Sequence, residues 1–208
     1  MTSREAEQTL SVIRTLMERG TVYKNISSAS AIAAGLITLA GCAVRASGIL
    51  PFDDKWSFFF TWGTVFAVSV AAILYFTAAQ ARKSGERPWS RSARTVVLAM
   101  LPAFWVGVVL SHVMFHQDLR HLLPGTWMLL YGCGALAMSF FTPLSIRALG
   151  IAFMLAGSAA LLFFPGHDVW AMGLSFGGLH LVWGTSLALE RHGLLTGRRA
   201  DTALAQDR

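Results

Sequence analysis

The chain has 208 residues, of which 54% are hydrophobic and only 13% are charged, and its formal net charge at pH 7 is +6. This composition is too apolar and too poor in charge for an ordinary soluble domain. A nucleic-acid interface would need a basic face on a soluble surface, whereas the basic residues here flank long apolar segments. We therefore predict a single membrane domain that lies in a lipid bilayer and binds no nucleic acid.

Residues 1–24 lack the apolar core of a secretory signal. Apolar side chains recur in this segment at helical spacing, at Ala6, Leu10, Ile13 and Met17. Charged residues occupy the other faces, so we predict an amphipathic cytoplasmic helix that lies on the inner membrane surface or packs beneath the bundle. The alternative is that residues 1–20 dock a soluble or membrane protein partner.

Residues 25–190 contain six segments that meet, or nearly meet, the length of about 20 apolar residues needed to cross a bilayer. They are approximately residues 27–44, 56–80, 95–115, 126–141, 146–164 and 169–189. The fourth is the shortest, and it could begin at Leu122 if Pro124 occupies the first turn, where proline is tolerated. The predicted fold class is all-α: an integral membrane bundle of six transmembrane helices, arranged as three hairpins.

The basic residues indicate the orientation of this bundle. All of them except Arg45, Lys55 and Arg120 fall in the tails and loops of one side. Loops rich in lysine and arginine stay in the cytoplasm. We therefore predict a multi-pass protein of the bacterial inner (cytoplasmic) membrane with both termini cytoplasmic, and we interpret residues 191–208 as a flexible cytoplasmic tail.

The sixth predicted segment carries glycines at regular positions around His180. Gly173, Gly177, His180 and Gly184 follow the spacing i, i+4, i+7, i+11, which places them on one face of an α-helix. Small residues on such a face let a neighbouring membrane helix approach closely. The spacing predicts a packing face with a histidine in it.

His180 itself lies roughly 16 Å from the outer end of its segment, at about 1.5 Å per residue, and hence near the bilayer midplane. A polar group at that depth is costly unless it finds a partner. We predict a hydrogen bond to Tyr131 or Ser139 of the fourth segment. This histidine is either a packing group or part of a ligand-binding pocket.

Four further histidines cluster at the predicted outer side, namely His112, His116, His121 and His167. His112 and His116 are one turn apart, and on a helix this spacing would stack two imidazoles as in a zinc or copper site. The pattern lacks the glutamate of the His-Glu-x-x-His hydrolases, and the alternative is a group of solvated histidines at the membrane interface. The sequence identifies no cofactor.

The central parts of the six segments contain no Asp, Glu, Lys or Arg, which argues against an ion-coupled carrier. Neither a phosphate-binding loop nor a serine nucleophile motif is present, so phosphoryl transfer and hydrolysis have no support. We predict a non-catalytic membrane protein, such as a regulatory or stress-related subunit. The alternatives are a histidine-based metal- or ligand-binding membrane protein and a small-molecule channel or carrier.

Two motifs stand near the ends of the chain. They are Ile13-Arg14, Met17-Glu18-Arg19 and Tyr23 before the first segment, and Phe176-Gly177-Gly178-Leu179-His180 in the last one. Both resemble the corresponding ends of a family of bacterial six-helix inner-membrane proteins that has no assigned activity, while the middle of the chain is similar by hydropathy only. The resemblance implies the same topology and no particular mechanism.

Overall fold

A computed structural model of the protein describes residues 27–49, 55–85 and 87–191, in which the regular elements are all helical. They are α1 (Ser28–Ala46), α2 (Lys55–Lys83), α3 (Arg91–His116), a 3-10 turn (Arg120–Leu122), α4 (Leu123–Met138), α5 (Ser145–Phe163), α6 (Asp168–Met172), a π-helical segment (Gly173–Leu179) and α7 (His180–Arg191). The predicted all-α class is therefore confirmed. The predicted N-terminal helix, and the tail beyond residue 191, lie outside the described residues.

Five helical segments in the described part of the chain are long and apolar enough to cross a membrane. They are Ser28–Ala46, Trp56–Lys83, Arg91–His116, Ser145–Phe163 and Asp168–Glu190, the last of which joins α6, the π-helical segment and α7. These segments mark a multi-pass membrane protein. The remaining long helix, α4, has 16 residues and begins with a proline in its first turn, as predicted.

The helices follow one another around a ring in the order α2, α1, last segment, α5, α4, α3. Most of these neighbours pack along each other, whereas the last segment meets α5 mainly through its π-helical part. Within the described residues, however, α2 and α3 do not pack closely along their lengths, although they are consecutive in the chain. The ring is therefore open between α2 and α3.

Glycines bring α4 and α5 into the closest contact. A Cβ atom added to Gly132 would lie 2.8 Å from the carbonyl oxygen of Gly150, and one added to Gly157 would lie 2.9 Å from that of Gly125. Backbones can approach to this distance only where neither residue has a side chain, which is a common basis for helix association in lipid. These contacts fix one half of the ring.

The glycines of the last segment face α1, whereas the side chain of His180, predicted on the same face, contacts other helices. Cβ atoms on Gly177 and Gly184 would meet α1, at Leu39 and Ile32 respectively. The imidazole of His180 instead contacts α4 and α5. A π-helical segment lies directly before His180, and because a π turn takes more residues than an α turn it changes the position of the histidine relative to Gly177.

Candidate functional site

A cavity of about 290 Å³ occupies the centre of the ring. Its walls come from α1, α2, α3, α4 and the last segment, and none of the described residues that line it is charged. Most of the lining is apolar or aromatic, and the polar side chains are few: Thr38, Ser69, Ser111, Tyr131 and His180. An apolar pocket of this size with a small number of polar groups is typical of small-molecule binding sites.

One wall of the cavity carries the pair formed by Tyr131 of α4 and His180, which lies midway along the last membrane-spanning segment. The Tyr131 hydroxyl oxygen lies 2.8 Å from Nε2 of His180, so the predicted hydrogen bond between them is confirmed. Ser139, the other predicted partner, donates instead to the carbonyl oxygen of Leu136. The bond joins two helices that are far apart in sequence.

The second ring nitrogen of His180 determines the direction of this bond. Nδ1 lies 3.1 Å from the carbonyl oxygen of Phe176. A carbonyl oxygen only accepts, so Nδ1 carries the proton and donates. In a neutral imidazole Nε2 is then the acceptor, and Tyr131 is the donor. The Tyr131 oxygen can still accept a hydrogen bond. A bound molecule that carries a donor group can therefore bond to it.

Aromatic rings hold the imidazole in place on its other sides. The fully buried ring of Phe153 lies 5.3 Å from that of His180 and 4.5 Å from that of Tyr131, measured between centroids. Phe176 stacks almost parallel to His180 at 6.1 Å. Packing of this kind preorganises polar groups at a fixed wall of the cavity.

A polar cluster lies at the end of the bundle where α1 ends and the last segment begins. Arg45 is only 2% exposed, and its Nη2 lies 3.5 Å from Oδ2 of Asp168. The same carboxylate oxygen accepts a hydrogen bond from Nε1 of Trp62 at 3.3 Å, while Nη1 of Arg45 donates to Ser57 at 3.2 Å. The guanidinium also lies over the ring of Phe58, 5.8 Å from its centroid. This cluster ties α1, α2 and the last segment together.

Three aromatic rings meet across the open side of the ring. The centroids of Phe66 on α2, Phe104 on α3 and Trp127 on α4 are 5.8 to 6.0 Å apart. Nε1 of Trp127 donates to Ser111 at 2.9 Å, and its indole lies against Gly107, where a Cβ atom would come within 2.7 Å of it. All three rings line the cavity.

The outer histidines do not come together as a group. The rings of His112 and His116 are 4.6 Å apart on the last turns of α3, as the one-turn spacing predicts. In the part of the chain that the structure describes, no set of three or more His, Cys, Asp or Glu side chains could hold a metal ion. His121 and His167 therefore add no ligand to the pair, and a metal site there stays a prediction.

Sequence reasoning missed most of this site. It identifies Tyr131 and His180, but it uses Arg45 only as a basic residue outside the cytoplasmic loops and gives no role to Asp168. The signal for this pair is an arginine and an aspartate at the edges of two apolar segments. Sequence reasoning also gives no role to Phe66 or Phe104. Comparisons of the chain with protein-family models, with curated proteins and with solved structures found no match.

Proposed function

We propose that this protein binds a small, uncharged and largely apolar molecule inside the membrane, in the central cavity of its helix ring. The observation that carries the proposal is the cavity of about 290 Å³, with aromatic walls and a fixed Tyr131–His180 pair at one side. The aromatic walls favour an apolar body. The free acceptor capacity of the Tyr131 oxygen favours a ligand that carries a hydroxyl group.

This proposal takes up the ligand-binding alternative from the sequence, and it is compatible with a regulatory membrane subunit that responds to its ligand. It is better supported than a channel or carrier for ions. A path for water or ions needs polar groups along its length. The described lining is mainly apolar, and it contains no charged side chain.

Filling the cavity is expected to abolish binding. Gly63 lines it, and a Cβ atom there would meet nothing within 4 Å, so Gly63→Phe places a ring in the space without a backbone clash. The probe is radiolabelled thymol, a lipid-soluble phenol, added to protein in lipid nanodiscs with empty nanodiscs subtracted. Because the added ring occupies volume that the ligand needs, Gly63→Phe should raise the Kd roughly tenfold or more. The matched control, Ala67→Phe, adds the same ring on an exposed position of α2 and should leave the Kd within about twofold.

The hydroxyl of the probe provides a second readout in the same experiment. Thymol should bind about threefold to tenfold more tightly than p-cymene, its counterpart without the hydroxyl, because only thymol can donate a hydrogen bond to Tyr131. Tyr131→Phe should remove this preference. Equal binding of thymol to the native protein and to Gly63→Phe would contradict the proposed site.

We further propose that α4 is the sixth crossing, in a bundle of three hairpins. Its 16 residues span about 24 Å, somewhat less than the hydrocarbon core of about 30 Å, and the 3-10 turn before it extends the helical stretch at one end. The close contact of α4 with α5 supports this placement. With six crossings, the basic loops predict that both termini lie in the cytoplasm of a bacterial inner membrane.

Cysteine labelling in intact cells tests this orientation. In a Cys133→Ser background, which removes the exposed cysteine and keeps the buried Cys42, a membrane-impermeant maleimide should label Gln117→Cys after α3. It should not label Arg87→Cys, which is equally exposed but lies in the connection before α3. Labelling of Arg87→Cys alone would reverse the orientation. Docking of a partner through residues 1–20 remains a separate proposal.

A further inference from the structure

We propose that the ligand is a ring-bearing molecule dissolved in the bilayer, and that it enters the cavity sideways, between α2 and α3, by displacing the rings of Phe66 and Phe104. This inference rests on the proposed function, because it assigns a source and a route to the same ligand. It follows from the opening in the helix ring, from the side chains at that opening and from the closure of the outer end.

The opening between α2 and α3 connects the cavity with the surface that faces lipid. Three side chains that line the cavity are also exposed at this surface: Phe66 is 48% exposed, Ile73 is 39% exposed and Val108 is 60% exposed. Near the outer end the two helices are joined by rings, since Phe115 of α3 lies 4.8 Å from both Trp56 and Phe59 of α2. The opening therefore lies within the depth of the membrane, and it is bordered by apolar side chains.

Phe66 and Phe104 bridge this opening by ring contact. Their centroids are 5.8 Å apart, and each ring also contacts the indole of Trp127 at 6.0 Å. Side-chain rotation between staggered conformations can separate such rings without moving either helix. Trp127 is held more firmly, because its indole bonds to Ser111 and fits against Gly107. It forms the fixed edge of the opening, and the two phenylalanines form its movable part.

The outer end of the cavity offers no comparable route. Trp62 and Phe58 line it there, both are less than a tenth exposed, and both contact the Arg45–Asp168 cluster. Separating these groups would disrupt the Arg45–Asp168 cluster, which ties three helices together. A molecule that reaches the cavity through hydrocarbon must be soluble in hydrocarbon, and the uncharged, aromatic lining favours a neutral ring compound.

Stopped-flow kinetics with brominated thymol test this route, because bromine quenches the fluorescence of Trp62 and Trp127 when the probe enters the cavity. Phe104→Ala removes a ring that makes two ring contacts across the opening. It should accelerate both association and dissociation roughly tenfold. A gate alters both rates together, because the probe passes it on the way in and on the way out. The control, Phe60→Ala, removes an exposed ring of α2 that does not line the cavity, and it should leave both rates within about twofold.

A second experiment closes the opening, whereas Phe104→Ala removes one of the rings that cover it. In the Cys133→Ser background, Phe66→Cys with Phe104→Cys is bridged by a short bifunctional thiol reagent, and association of the probe should then stop. Unchanged rates in Phe104→Ala, together with normal association after bridging, would overturn the lateral route while leaving the cavity site intact. No saturable quenching in the native protein would end the proposed function itself, and the lateral route with it.

Discussion

Replacing Asp168 by Ala is expected to lower the free energy of unfolding by about 3 kcal/mol, because it takes a carboxylate away from an arginine that remains buried. Arg45 is 2% exposed, and Asp168 lies within 3.5 Å of its guanidinium. The change also removes the acceptor for the indole N–H of Trp62. The measurement is reversible unfolding in mixed detergent micelles, followed by the loss of helical circular dichroism.

A double substitution separates the charge from the packing at this cluster. Breaking a buried pair is costly, whereas replacing both partners by apolar side chains of similar volume is often close to neutral. Arg45→Met combined with Asp168→Leu should therefore be more stable than Asp168→Ala, by about 2 kcal/mol. Arg82→Ala, at an exposed position near the end of α2, serves as the control and should stay within about 0.5 kcal/mol of the native protein. Equal stability of Asp168→Ala and Arg82→Ala would show that the pair contributes little.

The Tyr131–His180 pair could be predicted from the sequence, because a polar side chain without a hydrogen-bond partner inside a membrane carries a large free-energy cost. A histidine halfway along an apolar segment must find a hydrogen-bond partner, and this requirement predicts Tyr131 or Ser139, of which Tyr131 is the partner in the structure. The same argument does not extend to Arg45, because a charged residue at the end of an apolar segment can reach the solvent. Its burial depends on which helix packs beside it.

The cavity could not be predicted, for a reason specific to membrane helices. In water, apolar positions mark the face of a helix that packs against the core, but in a bilayer the face toward lipid is equally apolar. The exposed Phe60 and the cavity-lining Phe59 are adjacent in the sequence and alike in hydropathy. Only the order of helices around the ring distinguishes them, and that order depends on contacts between distant segments.

The rotation of His180 away from the glycine face could not be predicted either. Spacing arguments assume a uniform α-helix, and the chain forms a π-helical segment at Gly173–Leu179, directly before the histidine. Glycine weakens the preference for regular α-helix, and this segment contains Gly173, Gly177 and Gly178. The helix predicted there from hydropathy is confirmed, whereas the direction of the His180 side chain depends on more than regular helical spacing.

Substituting Gly132 by Ala is the second change expected to have a large effect, because it separates α4 from α5. The added methyl group would lie 2.8 Å from the carbonyl oxygen of Gly150 and 3.0 Å from the backbone nitrogen of Met154, neither of which can move without its helix. Overpacking of this kind predicts a loss of about 2 kcal/mol in the free energy of unfolding. The measurement is again unfolding in mixed micelles.

Gly134→Ala is a matched control, two residues away on the same helix. Its methyl group would meet only the flexible end of Met100 and the Cβ of Ala103, at 3.3 and 3.4 Å. It also gains the advantage of alanine over glycine in a helix, about 1 kcal/mol, which Gly132→Ala shares. Gly134→Ala should therefore equal or exceed the native stability. Because α4 carries Tyr131 and Trp127, Gly132→Ala should also weaken binding in the cavity, and a variant that lost neither stability nor binding would show that the glycine contact does not hold this half of the ring.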